Sequence, residues 1–231
     1  ATPGALSGLL RDHFASEGAN RSNLFERDYI DISRVSLDAN DDLDSALQSA
    51  NTLSTQFPAS SLGRQLRAVA QTIGIREALG AKRQVFFVGM GGFDTHSAQA
   101  NDLPGLQQSL GDALAAFYNA TEEMGVADEV TTFTAADFGR TLTANGDGTD
   151  HGWGGHHFVV GGAVRGGDIY GNIPVSRLGH AQDSGNGRLI PTTSVEQFAA
   201  PLGRWFGLNE NELNIALPGL VNFPAGGLDY I

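Results

Sequence analysis

Between Val85 and Val164, three short apolar runs each stand beside a polar cluster, and this pattern restricts the fold more than any other feature of the chain. Val85-Phe86-Phe87-Val88 leads through Gly91 and Gly92 to Phe93-Asp94-Thr95-His96. Val130-Thr131-Thr132-Phe133-Thr134 leads to Asp137-Phe138-Gly139-Arg140. A loop rich in Gly, Asn and Asp then delivers Asp150-His151 shortly before Phe158-Val159-Val160. Short continuous apolar runs suit strands covered on both faces. Leu103 to Met124 carries Leu106, Leu110, Leu114, Phe117 and Tyr118 at helical spacing, with Gly125 placed to close the helix. Strand, helix, strand is a right-handed βαβ unit with parallel strands. Open α/β sheets bind ligands beyond the carboxyl ends of their strands, so the three clusters are expected to meet in one site.

The flanking regions read differently. Residues 1 to 80 are helical in pattern, with Ala5, Leu6, Leu9, Leu10 and Phe14 first. A break follows at Asn20-Arg21-Ser22-Asn23, where Ser22 or Asn23 can cap a helix through Phe25, Tyr29, Ile32, Val35, Leu43 and Leu47. The acidic stretch Asp38 to Asp44 reads as a solvated helix face. Ser60 or Ser61 opens a helix through Leu62, Leu66, Val69 and Ile73. Residues 161 to 191 read as irregular. Pro191-Thr192-Thr193-Ser194 caps a helix that runs to Phe206 and closes at Gly207, followed by a short helix near Asn209 to Ala216 and a looped tail. With 231 residues, 41% of them hydrophobic, the chain can bury a real core. It is read as one α/β domain over residues 1–231: a helical region to about 80, the βαβ site core over 81–165, and a loop with C-terminal helices over 166–231.

Charge and composition exclude several functions. A net charge of −12 disfavours nucleic acid and anionic membrane surfaces, and an anionic substrate would need local cations, from arginines or a metal. No cysteine is present, which removes disulfides, thiolate catalysis and cysteine-based zinc sites. No apolar stretch is long enough to span a bilayer. Ala1-Thr2-Pro3-Gly4 shows no basic region followed by an apolar one, so a signal peptide is expected to be absent from this chain or already removed.

The polar clusters carry metal-ligand chemistry. Asp94 and His96 are two apart, so on an extended segment both face one cation; alternatively Asp94 caps the next helix or orients the histidine. Asp137 leaves a strand directly, as a ligand or as a turn carboxylate. Arg140 can pair with Asp137 or hold an oxyanion through two nitrogens. Four of the six histidines lie between His96 and His157; His156 and His157 are adjacent, so on a strand at most one reaches the site, and Trp153 can shield it. Imidazole with carboxylate suits Zn, Mn or Fe, and carboxylate alone suits Mg or Ca.

Gln84 to Ser97 (QVFFVGMGGFDTHS), Thr131 to Arg140 (TTFTAADFGR), Gly146 to Gly162 (GDGTDHGWGGHHFVVGG) and Ile190 to Phe206 (IPTTSVEQFAAPLGRWF) resemble the family of exported bacterial proteins called domain of unknown function 1501. That family is in turn similar to the alkaline phosphatase and sulfatase superfamily. The resemblance implies a doubly wound, mostly parallel sheet flanked by helices, with a two-metal site at the strand ends. It makes Asp94 and His96 ligands of one metal, Asp137 of the other and His151 the closing histidine. Asp150 becomes a further ligand, a catalytic group or an orienting partner of His151, and Arg140 a catalytic grip on a non-bridging oxygen. The cofactor would be a divalent ion: Zn, Mn, Ca or Mg. The resemblance also implies twin-arginine export to the periplasm or the exterior. It implies N-terminal strands and a Ser, Thr or Cys nucleophile, which would come from a further segment of the same protein or from another chain.

Two functions follow as expectations. The first is a metal-dependent hydrolase of phosphate or sulfate esters, acting on an anionic small molecule or polymer. The second is a non-catalytic exported binding or surface-assembly protein that retains the metal-binding scaffold. The sequence feature favouring the second is Asp137-Phe138, where the superfamily carries an Asp-His pair.

Overall fold

A computed structural model describes residues 3–18, 21–49, 52–224 and 228–231. Ala1, Thr2, Asn20 of the expected break, and residues 225–227 of the tail lie outside the described residues. The chain divides into two compact units, one formed by Ala1–Thr52 with Gln71–Gln84, the other by Leu53–Ala70 with Val85–Ile231.

The first unit is built on a helical hairpin of α1 (Pro3–Gly18) and α2 (Leu24–Ser49). Asn23 caps α2, its side-chain oxygen accepting from the Phe25 amide at 2.9 Å. Arg11 on α1 bridges to Asp38 and, at 2.7 Å, to Asp41 on α2. Part of the acidic stretch therefore serves the hairpin as well as facing solvent. Phe14 meets Tyr29 edge-on, with ring centroids 6.5 Å apart.

Two helices bring most of the core to the second unit. Helix α3 (Ser61–Gly74), whose last turn belongs to the first unit, buries Leu62, Leu66 and Ala70. Helix α4 (Gln99–Glu123) buries Ala113, Ala116, Phe117, Ala120 and Thr121 along one face. It ends as expected at Gly125, whose φ of 70° glycine adopts without a Cβ penalty. Glu123 at its end reaches back to the chain that enters α3, accepting from the Ser54 and Thr55 amides at 2.6 and 2.9 Å.

Strands β1 (Thr131–Phe133), β2 (Gly139–Asn145), β3 (Gly148–Gly152) and β4 (Val159–Gly161) form two separate antiparallel pairs, β1 with β4 and β2 with β3. β2 and β3 are a hairpin that turns at Gly146 and Asp147, with Gly146 at φ 68°. Register is lost between Arg140 and Ala144, where β2 carries extra residues. There the Leu142 amide bonds the Gly187 carbonyl at 3.1 Å, fastening the irregular 162–194 stretch to the hairpin. Helix α5 (Val195–Phe206) is capped by Ser194 and stops at Gly207, as the sequence predicts, and Gln197 completes a capping box with Ser194. Helix α6 (Glu210–Ala216) begins in an Asn209–Glu212 box.

The expected doubly wound parallel sheet is absent. Among the described residues, helix accounts for 47% and strand for 9% of the chain, and no large parallel sheet exists. Val85–Val88, the expected first strand, pairs with no strand; Val85 is 83% and Phe87 96% exposed. Its end is held instead by a side chain, Gln65 exchanging two hydrogen bonds with the Gly89 backbone at 3.0 and 2.9 Å. The reason is that a continuous apolar run is compatible with burial on two faces but does not supply the partners that would bury it. β1 finds its partner in β4 through a reversed connection, so the βαβ crossover does not form.

Candidate metal centre

Asp94 and His96 lie in the loop that follows Gly92, and His151 lies on β3 opposite Arg140. Backbone bonds seat the loop against the hairpin. The Thr149 amide reaches the Thr95 carbonyl at 3.4 Å, and the Gln99 amide reaches the Asp147 carbonyl at 3.1 Å. Gly148 makes this approach sterically feasible, since a Cβ there would sit 2.3 Å from the His96 carbonyl carbon. Arg140 adds a brace from below, donating to the Phe93 carbonyl and, at 2.7 Å, to the Thr149 carbonyl.

These constraints bring three ligand atoms together. Asp94 Oδ1 lies 2.7 Å from His151 Nε2 and 2.9 Å from His96 Nε2, and the two imidazole nitrogens are 3.2 Å apart. Asp94, His96 and His151 are the group among the described residues whose ligand atoms all fall within 4.8 Å of one another. A cation with donors at about 2.0–2.1 Å spaces neighbouring donors by roughly 2.9 Å in octahedral and roughly 3.3 Å in tetrahedral geometry. The observed separations fit one such ion. The side chains are 60%, 46% and 47% exposed, so the cluster opens to solvent. The hydrogen bond from His151 holds the Asp94 carboxyl below its ordinary value, partial desolvation opposes this, and the charges of His96, His151 and Arg140 add to the lowering.

The other expected site residues take different places. Asp150 turns toward the outer nitrogen of His96, with Oδ1 3.5 Å from Nδ1, and not toward His151; Asn145 steadies it with a 2.7 Å hydrogen bond. Arg140 Nη2 stands 3.5 Å from Asp94 Oδ1, and its other bonds go to backbone carbonyls. Asp137 is exposed and lies outside the cluster. His157 packs its ring near Phe198 and meets Thr134 Oγ1 at 3.3 Å, while Trp153 is exposed. Phe138 is a contributor that the sequence reading did not assign. Its ring stacks on His151 at 4.0 Å with planes 9° apart, and the Arg140 guanidinium carbon lies 5.2 Å from its centroid.

The family described as "Protein of unknown function (DUF1501)" matches residues 1–217. The chain belongs to the DUF1501 family. The matched span of this DUF1501 chain includes Asp94, His96, Asp137, Arg140, Asp150 and His151. No curated protein and no solved structure matches it. Among the described residues, no helix of the DUF1501 chain is long and apolar enough to cross a membrane.

Proposed function

We propose that the protein is a metal-dependent hydrolase of phosphate or sulfate esters that works with a single divalent cation held by Asp94, His96 and His151. The observation that carries this reading is the meeting of one carboxylate oxygen and two imidazole nitrogens at mutual distances of 2.7 to 3.2 Å on an exposed surface. Two imidazoles with one carboxylate suit Zn, Mn or Fe better than Ca or Mg, which prefer oxygen donors. When bound, such an ion polarises an ester oxygen and acidifies bound water. Asp94 offsets part of the ion's charge, and Phe138 keeps the His151 ring in its plane by stacking. Asp150 faces the outer nitrogen of His96 and favours the tautomer whose Nε2 lone pair is free. Arg140 acts as a positioning residue, tying the loop carrying Asp94 to β3. On a chain of net charge −12, the cation also supplies the positive anchor that an anionic ester requires.

Elemental analysis after reconstitution should find one equivalent of Zn or Mn in the native protein and none in His151→Ala. Turnover across a panel of phosphate and sulfate esters should disappear with a chelator and return with the metal. Equal turnover by His151→Ala, or no metal uptake by the native protein, sinks the reading.

A second reading keeps the cation and drops the chemistry: a binding or surface-assembly protein. It is favoured by the placement of Asp137 outside the cluster and by the engagement of Arg140 with backbone carbonyls. Stoichiometric metal uptake without turnover of any ester would select it.

A further inference from the structure

A groove of about 580 Å³ runs between the first turns of α4 and the tip of the β2–β3 hairpin. Ala100, Leu103, Pro104 and Ala144 supply its apolar side chains, and Gln99, Gln107, Asp147 and Thr149 its polar ones. That volume is in the range of small-molecule sites, which are largely apolar with a few polar groups. Thr149 and His151 are two apart on β3, so both face the same side of the strand. Strand rise puts them about 7 Å apart. Two of the groove's polar side chains are tied to each other, the Thr149 hydroxyl donating to Gln99 Oε1 at 2.9 Å. A lining residue of the groove, Thr149, thus stands about one strand repeat from an imidazole of the metal cluster.

We infer that this groove holds the apolar group of the substrate, so that the esters taken are those of a hydrophobic alcohol or phenol. The inference rests on the hydrolase reading for the anionic end of the ligand. The occupant is a small amphiphile with its anionic head at Asp94, His96 and His151 and its apolar body along Leu103, Pro104 and Ala144. The geometry favours this over a second polypeptide, because Thr149 of the groove lining shares a strand face with His151 of the cluster.

The test uses alkylphosphonates from methyl to octyl, which carry the head group and cannot be hydrolysed, titrated calorimetrically into the full chain with and without Zn. Affinity should rise roughly threefold to fourfold per methylene until the groove is filled. The head-group contribution, read from methylphosphonate, should require Zn. Ala144→Trp and Ala100→Trp each place an indole in the groove at an exposed backbone position. Either should flatten the chain-length series while leaving Zn stoichiometry and methylphosphonate affinity unchanged; thermal melts confirm that each variant is folded. A chain-length series that is flat in the native protein, or that persists in both folded tryptophan variants, overturns the groove assignment whether or not Zn binds. A series that rises equally with and without Zn keeps the groove and discards the cation-anchored head group.

Discussion

At the scale of single residues, the cluster depends on what is missing from Gly148 as much as on its three ligands. A methyl group there would meet the His96 carbonyl carbon at 2.3 Å and the Thr95 carbonyl oxygen at 2.6 Å, both backbone atoms that cannot swing aside. Gly148→Ala should therefore push the Asp94–His96 loop off β3. We expect a loss of about 1–3 kcal/mol in urea unfolding, the usual scale of overpacking, and a parallel loss of metal affinity by titration. Unchanged metal affinity in a destabilised variant would mean that the loop is held elsewhere. The sequence already carried the two-residue spacing of Asp94 and His96 and the Gly-rich approach to His151, so the cluster was legible. Two things were not. Asp137 looks like a ligand because it leaves a strand, yet nothing in its neighbours specifies where that strand's end points. Phe138 acts by stacking on a ring distant in sequence, which local spacing cannot reveal.

At the scale of elements, helices were readable because their ends are chemically marked. Ser194 and Gly207 bound α5 as expected, and Ser194→Ala should cost about 1 kcal/mol. In a chain of this size that lowers the melting temperature by roughly 2–4 °C. Helix α4 begins at Gln99, four residues before the expected Leu103, because a tertiary bond from its first amide to Asp147 and an Ala98 in the left-handed region set its start. Its far end makes a pH-sensitive attachment. Amides of Ser54 and Thr55, with the Thr55 hydroxyl, hold the Glu123 carboxyl at about 2 against an ordinary 4.5. A lowered carboxyl stabilises the folded chain fully above the ordinary value and stops doing so as pH falls toward the lowered one. The attachment of residues 54 and 55 to α4 should thus weaken below pH 4.5 and be gone near 2, read from the Ser54 and Thr55 amide shifts. Glu123→Gln should remove that titration.

At the scale of the whole molecule, the departure from a layered α/β sheet has a direct test in Val85–Val88. Phe87 is 96% exposed, so Phe87→Lys should change stability by no more than about 0.5 kcal/mol. In the centre of a doubly wound sheet the same change would bury a charge and cost several-fold more. A large loss on denaturant unfolding would restore the sheet. Strand identity was partly visible in the sequence, since β1 and β4 form where apolar runs were seen. Strand partnership was not, because it depends on which distant segment arrives, and here β4 arrives antiparallel.

Asp94 and His151 are separated by 57 positions along the chain, and the whole of α4 lies between them. A cation gripping both would turn that stretch into a closed ring, and the chain could not unravel there without first shedding its ion. Heat resistance would then follow the free concentration of the ion, gaining about 2.7 kcal/mol once it exceeds the dissociation constant a hundredfold.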